Sequence, residues 1–469
     1  MNLQRTLLSA SIALLLSTPA QASDVETLRT EFKQELERLQ RGYESRLAEL
    51  ETRLQEAEAR TAPSPEPARP AAATATSSPA AASAGGFNPE VSLILQGRYV
   101  DRKAVDDRHV TGFMPTAGHG DDHAHGEASR GFSLDHSELV LSANIDAYFR
   151  GYANLALIDD TVELEEAWFQ TLGLGQGFTL KAGRFFSNIG YLNEQHPHAW
   201  DFADTALMYQ VLFGESYAND GVQLKWIAPV SDLLVELSGE VGRGDAFPGT
   251  DRDKNGANAR ILGLHLGGDI GVAHGWRAGV AYLDTRAEHR DFEGHDAADE
   301  ELEAAFSGTS KTWLADVVWK WAPDGNPSYR NLTLQAEYFL REEDGTLECD
   351  DATGASACAG GLEGDFRARQ SGWYAQGVYQ FLPRWRAGYR YDRLNRGDLD
   401  FLGADIGLTI ASLGDYTPRR HSVMLDYNPS EFSRLRLQFA RDESMCEVTD
   451  HQVTLQYIHS LGAHGAHKF

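Results

Sequence analysis

Several things are scarce in this chain. Its 469 residues hold 3 Cys and 5 Met, and only 42 Lys and Arg stand against 69 Asp and Glu. The formal net charge of -27 argues against nucleic acid as a partner, because a phosphate backbone is bound by clustered Lys and Arg. Beyond the first two dozen residues no long apolar run occurs, which excludes a helical membrane protein. No nucleophile–base constellation emerges, and no Gly-rich phosphate cradle precedes a helix, so an enzyme is not expected. Nothing in the sequence calls for a cofactor.

What is present starts with the N-terminus. Met1 to Arg5 is a short basic start, Thr6 to Ser17 is apolar, and Ala20-Gln21-Ala22 fits a small-x-small cleavage pattern. Such a stretch is too short to span a bilayer and reads as a secretory signal over residues 1–22, cleaved after Ala22. Residues 23–60 follow as one helix. From Asp24 to Arg60 the apolar positions Val25, Leu28, Phe32, Leu36, Leu39, Tyr43, Leu47, Leu50, Leu54 and Ala57 recur every three or four residues. The steps approach an eleven-residue repeat, which favours a straight or slightly right-handed coiled coil; a helix lying on another surface is the alternative. Residues 61–86, rich in Pro, Ala, Ser and Thr, cannot bury a core and read as a semi-extended tether.

From residue 87 to residue 469 the period changes to two. Sixteen strand candidates follow, at about 88–102, 132–146, 148–159, 162–173, 178–190, 219–230, 233–244, 259–271, 274–287, 311–323, 330–342, 370–383, 385–397, 419–429, 433–443 and 450–461. Short links such as Gly173 to Gly177 and Asn428 to Glu431 alternate with a mostly long set at 103–131, 191–218, 245–258, 288–310, 343–369 and 398–418. The acidic stretches Asp284 to Glu303 and Arg341 to Asp351 are read as solvated loop chemistry. Trp313, Ala315, Val317, Trp319 and Trp321 share one strand face, with Leu314, Asp316, Val318 and Lys320 on the other.

The fold class expected is therefore all-β: a transmembrane antiparallel β-barrel of about sixteen strands, preceded by a short α-helical coiled coil. Aromatics at 10% of residues beside a mean hydropathy of only -0.40 suit such a barrel, where a lipid face and a lumen face average out. An even strand count puts both ends, and the coil, in the periplasm of a Gram-negative cell. A secreted water-soluble β-protein is the alternative, since alternation alone does not say which face meets lipid.

The opening Phe87-Asn88-Pro89-Glu90-Val91-Ser92-Leu93-Ile94-Leu95-Gln96-Gly97-Arg98-Tyr99 resembles the first strand of coiled-coil-headed porins. Gly183-Arg184-Phe185-Phe186-Ser187-Asn188-Ile189-Gly190, with Asn193-Glu194-Gln195-His196-Pro197-His198-Ala199-Trp200-Asp201-Phe202 after it, is the most specific match. The ending Ser460 to Phe469, with its terminal aromatic, also fits. These segments are similar to the phosphate-selective porin group and to barrels known as zinc-regulated outer-membrane proteins. The resemblance implies a sixteen-stranded homotrimeric channel in outer-membrane lipid and leaves its solute open. It also implies that the third external loop, the connection at 191–218 after the fifth strand, folds into the lumen. On that basis His196, His198, Asp201 and Asp204 are constriction candidates, with loop-packing residues as the alternative.

Two further sets of residues could carry chemistry. His109, His119, Asp121, Asp122, His123, His125 and Glu127 put imidazole and carboxylate together in the first long loop, a composition suited to exchangeable Zn²⁺ but without tetrahedral spacing. The expected lumen face is mixed in sign: Lys225, Arg277, Lys320, Arg386, Arg390, Arg434 and Arg436 face Glu138, Asp146, Glu236, Glu240, Asp316, Glu337, Asp392 and Asp426. Phosphate selection would want an excess of Arg and Lys, which is not seen. Cys349 and Cys358 fall in one expected loop and are candidates for a disulfide on an oxidising route, leaving Cys446 free. The function these features imply is passive diffusion of small hydrophilic solutes, with divalent metal as favoured cargo. An anion or phosphate channel, and a barrel for surface binding or adhesion, are the alternatives.

Overall fold

The structure, a computed structural model, describes residues 89–105, 108–116, 130–158, 161–250, 256–296, 300–350, 356, 358–402 and 410–462. The expected signal, coiled coil and tether lie outside the described residues. So do His119, Asp121, Asp122, His123, His125 and Glu127.

Period-two alternation yields one sheet of 17 antiparallel strands that closes on itself. The strands are β1 (Glu90–Asp101), β2 (Gly131–Leu134), β3 (Ser137–Asn144), β4 (Phe149–Ile158), β5 (Thr161–Thr171), β6 (Phe178–Phe186), β7 (Ala218–Ile227), β8 (Leu234–Gly242), β9 (Ala259–Ile270), β10 (His274–His295), β11 (Glu301–Trp321), β12 (Asn331–Asp350), β13 (Leu362–Leu382), β14 (Trp385–Leu402), β15 (Arg419–Ser430), β16 (Ser433–Glu443) and β17 (Asp450–Gly462). β2 and β3 both pair with β1 and make one broken stave, so the barrel has sixteen staves. β1 pairs with β17 over ten residues, from Ser92 opposite Gly462 to Asp101 opposite Val453, which closes the wall.

The faces sort by side-chain type. On β11, Trp313 and Val317 point out and are exposed, while Leu314, Asp316 and Val318 are buried inside. On β16, Leu435, Leu437 and Phe439 point out, while Arg436 and Gln438 are buried. Aromatic pairs gather towards both ends of the outer face. Phe178 with Trp226 and Trp385 with Tyr427 lie at the short-turn end, and Tyr282 with Trp313 and Trp373 with Tyr391 nearer the other. Trp313 and Trp321 stand eight residues apart, roughly 26 Å along the strand, which fits the apolar band between aromatic girdles of a membrane barrel.

Three expected loops are corrected. Most of 288–310, much of 343–369 and the first part of 398–418 are strand, because β10 to β14 run for 18 to 22 residues and rise above their neighbours. Among the described residues, most of the acid of Asp284 to Glu303 and that of Arg341 to Asp350 therefore sits on strands. There the outward face is charged and the inward face apolar: Glu301 and Glu303 are exposed and Leu302, Ala304 and Phe306 are buried. The charged outer face is what made these stretches read as loop. Phe292, Phe306, Leu347, Phe366 and Ile410 form a second apolar cluster there, beside the Cys349–Cys358 disulfide.

Candidate functional site

The inner face of the barrel is organised by one long connection, L3, which runs from 187 to 217 between β6 and β7. It folds inward because its sequence is apolar where a solvated loop would be polar. Ile189, Leu192, Trp200, Phe202, Met208, Tyr209, Leu212 and Tyr217 are all buried. Asn193 ties its neck: Nδ2 donates to Ser187 O at 2.9 Å and Tyr217 O at 3.0 Å, and Oδ1 accepts from Tyr217 N at 2.7 Å. One α-helix, α1 (Leu207–Phe213), lies inside L3, after a short 3-10 turn at Pro197–Ala199. Its own N-cap is Ala206, whose methyl group cannot accept a hydrogen bond, and the wall supplies the missing acceptor: Leu207 N donates to Asp392 Oδ1 at 3.0 Å.

A second anchor sits on β12. Glu337, buried, accepts from Tyr191 N at 3.1 Å, Leu192 N at 3.0 Å and Tyr209 Oη at 2.8 Å, and also from Tyr374 Oη. Gly190 makes the turn into this anchor with φ of 80°, and a Cβ there would stand 2.4 Å from Glu337 Oε2 and 2.5 Å from Tyr209 Oη. Only glycine fits both the left-handed backbone and the space.

The wall is not uniformly mixed in charge. β14, β15 and β16 present Arg386, Arg390, Arg420, Arg434 and Arg436 to the interior. Asp201 accepts from Arg386 at 2.9 Å, and Asp204 lies 2.6 Å from Arg420 and 3.1 Å from Arg390. Burial alone would raise the Asp204 carboxyl, but Arg390 and Arg420 hold it below the usual range. Arg434 and Arg436 donate to the Trp200 carbonyl at 3.1 and 2.9 Å. The arc from β3 to β8 is instead rich in carboxylate: Glu138, Glu165, Glu166, Glu236 and Glu240.

His196 and His198 reach this second arc. His198 Nδ1 lies 2.6 Å from Glu138 Oε1, and His196 Nε2 lies 3.0 Å from Glu166 Oε2. His196 Nδ1 is 3.3 Å from Glu165 and 3.6 Å from Glu138. Burial by itself would lower the His196 imidazolium, but the three glutamates outweigh it and hold it well above its ordinary range. The four constriction candidates thus divide: two imidazoles dock on the carboxylate arc and two carboxylates on the arginine arc.

The other expected lumen residues fall as follows. Lys225 lies 3.3 Å from Glu194 of L3 and 3.7 Å from Glu236. Arg277 stacks over the Tyr191 ring at 5.4 Å. Arg386 and Arg436 share Asp426, and Arg390 lies 2.9 Å from Asp392. Asp316 is buried near His265, and Lys320 is half-buried. Asp146 is a correction: it is exposed in the turn before β4 and accepts from Tyr148 N and Phe149 N, a turn role rather than a lumen one. Among the metal candidates only His109 is described; its Nε2 lies 3.4 Å from Thr111 Oγ1.

The sequence reading missed His136, Glu165, Glu166, His265 and Arg420 as interior groups. One signal was available. Glu165-Glu166 places two charges in succession where alternation demands one, and the structure resolves this with a β-bulge: Asn154 opposes Glu166 and Leu155 opposes Leu164, so Glu165 is the extra residue.

No family model matches the chain. An uncharacterized protein of Aquifex aeolicus (strain VF5) is 34% identical over 409 residues, covering 82% of this chain and 81% of that protein. Among solved structures, OmpT, an outer membrane protein of Vibrio cholerae, is similar at TM-score 0.49 and 8% identity, covering 80% of this chain and 98% of that one. The outer membrane channel DcaP of Acinetobacter baumannii is similar at TM-score 0.46 and 12% identity, covering 81% and 99%. An anion-selective porin from Comamonas acidovorans is similar at TM-score 0.47 and 9% identity, covering 80% and 100%.

Proposed function

The chain belongs to one family with the Aquifex aeolicus protein, and we propose that it is a porin-type channel of a Gram-negative outer membrane. The observation that carries this is the closed sixteen-stave barrel with an apolar outer face and a charged inner face, narrowed by L3. Barrels of this strand number are wide enough to enclose an aqueous path. The reading is passive diffusion of small hydrophilic solutes, with no enzymatic step. Divalent cations such as zinc are the favoured specific cargo, because the arginines of β14 to β16 lie against carboxylates while the β3–β8 arc carries carboxylate in excess.

The remaining expectations join this proposal: export by residues 1–22, a periplasmic coil at 23–60, a tether at 61–86 and a homotrimer held by barrel walls and coil. Detergent-extracted protein should migrate as an oligomer that dissociates on heating, and monomer at every temperature would remove the trimer. Planar-bilayer recording tests the channel itself. Stepwise openings with a cation-side reversal potential in a salt gradient are expected. A silent barrel would point to surface binding or adhesion, and a clear anion preference would contradict the cation reading.

A further inference from the structure

Two irregularities in the wall converge on one point. The first is the Glu165 bulge of β5. The second is the break between β2 and β3: Gly97 opposes Leu134 and Ile94 opposes Glu138, so one extra residue is inserted around Asp135, His136 and Ser137. Together they turn inward more side chains than alternation allows. His136 and Glu138 come from one stave and Glu165 and Glu166 from another, with β4 between them. Bulges re-aim side chains at sites of function. A cushion for L3 could have been built from the regular inward positions alone.

The ligand atoms of His136, Glu138 and Glu165 lie within 4.8 Å of one another. His136 Nε2 is 2.7 Å from Glu165 Oε1, and the His136 side chain is buried. Asn154, fully buried, points Nδ2 at Glu138, Glu165 and His196, and its Oδ1 has no partner. A tetrahedral ion with bonds of about 2.0–2.2 Å separates its ligand atoms by roughly 3.4 Å, so the widest pair need approach by at most about 1.4 Å.

The charge balance also asks for a cation. With neutral imidazoles, Glu138, Glu165 and Glu166 leave an excess of negative charge on the inner side of the wall. The cationic groups facing the cluster are Arg98, 2.8 Å from Asp135, Lys181, which lies over the rings of Trp168 and Phe185 and acts on Glu166, and the His198 imidazole, 2.6 Å from Glu138. Buried carboxylates need either protons on the imidazoles or a metal ion.

We infer that His136, Glu138 and Glu165, closed by His196 from L3, bind one divalent cation of the zinc class within the barrel wall. A mixed imidazole–carboxylate set selects borderline ions such as Zn²⁺ over Mg²⁺ or Ca²⁺. The site stands on its own geometry; its use as a capture point on the solute path rests on the channel reading. It is separate in chain position from the histidines of residues 109–125 and takes its ligands from the wall.

The experiment uses full-length, metal-stripped protein in detergent, in a background carrying His119→Ala, His123→Ala and His125→Ala. Calorimetry with zinc chloride should give one ion per chain, and Co²⁺ should give the absorption of a low-symmetry nitrogen–oxygen site. Glu165→Gln and Glu138→Gln, near-isosteric, should weaken binding at least about tenfold. Retention of the heat-sensitive oligomer shows that a variant has folded, and His136→Gln serves if either carboxylate variant has not. Absence of binding in the background protein, or unchanged affinity in folded variants, overturns the site. Current recorded in parallel separates the two ideas. A barrel that binds zinc through Glu165 but never conducts keeps the site and removes the channel. A barrel that conducts and binds no zinc does the reverse.

Discussion

Glu337→Ala is the sharpest perturbation of the way L3 is held. The side chain accepts from two loop N–H groups, Tyr191 and Leu192, and from the hydroxyls of Tyr209 and Tyr374. Three of these four partners belong to L3 and are buried. Hydrogen bonds to a charged acceptor contribute about 1.5–3 kcal/mol each, so the L3 partners alone sum to at least about 4.5 kcal/mol. The bonds are neighbours and not additive, and water entering the gap will satisfy part of what is lost. A net weakening of about 2–3 kcal/mol of loop docking remains, about 30- to 150-fold in the docked-to-released ratio. The barrel ladder on both sides of Glu337 is continuous, from Trp321 opposite Leu332 to Glu303 opposite Asp350 on one flank, so the wall itself should persist. The assay is single-channel recording in planar bilayers. Glu337→Ala should give larger or noisier unitary current than the parent, with Glu337→Gln intermediate and the heat-dependent gel shift kept. Current identical to the parent in amplitude and noise, from a folded variant, would refute the claim that this carboxylate holds a constricting loop.

Other outcomes can be checked separately. A maleimide should add once per chain before reduction, at the exposed Cys446, and three times after reduction in denaturant, because Cys349 and Cys358 are paired; three adducts at the outset would contradict the pairing. Gly183→Ala should lower the temperature of the gel shift, since Gly183 has φ of 127° and a Cβ would stand 2.2 Å from the Ala167 carbonyl oxygen; a residue forced into such backbone costs on the order of 1–3 kcal/mol. An unchanged transition would show that the strand shifts to accommodate it. The His196 imidazolium is raised in the folded protein, so its stabilisation of L3 is complete below about pH 6.5 and is lost as pH rises through the raised value. In metal-stripped protein, iodide quenching of tryptophan fluorescence should therefore increase on the alkaline side. His196→Gln should flatten that profile, and an acid-side transition would reverse the assignment.

Alternation carried a great deal of this molecule. Trp313 to Trp321 and Leu332 to Leu340 read as two-faced strands, and they pair as such, because a closed wall with an apolar outer face and a polar inner face puts opposite chemistry on successive residues. The rule held only where the outer face meets apolar surroundings. Above that zone β10 to β14 continue with charge outside and apolar side chains inside, as at Glu301 to Phe306, and the composition then resembles a loop. Strand length was underestimated for that reason.

Near the site, the chain itself marked Gly183 to Phe202 as special, and His196, His198 and Asp201 stand there inside the barrel, with Asp204 two residues beyond. The sequence by itself determined the period-two wall, the short and long links and the apolar loop that has to turn inward. It could not say that the two histidines dock on Glu138, Glu165 and Glu166 while the two aspartates dock on Arg386, Arg390 and Arg420. Those partners lie between 30 and more than 180 residues away in the chain, and closing a barrel brings them together by stave order and register. Nor could it say that Glu165 and Glu166 both face inward, since a bulge is a property of the pair of strands. One extra residue against a regular partner must be absorbed locally, and only the register between β4 and β5 decides where.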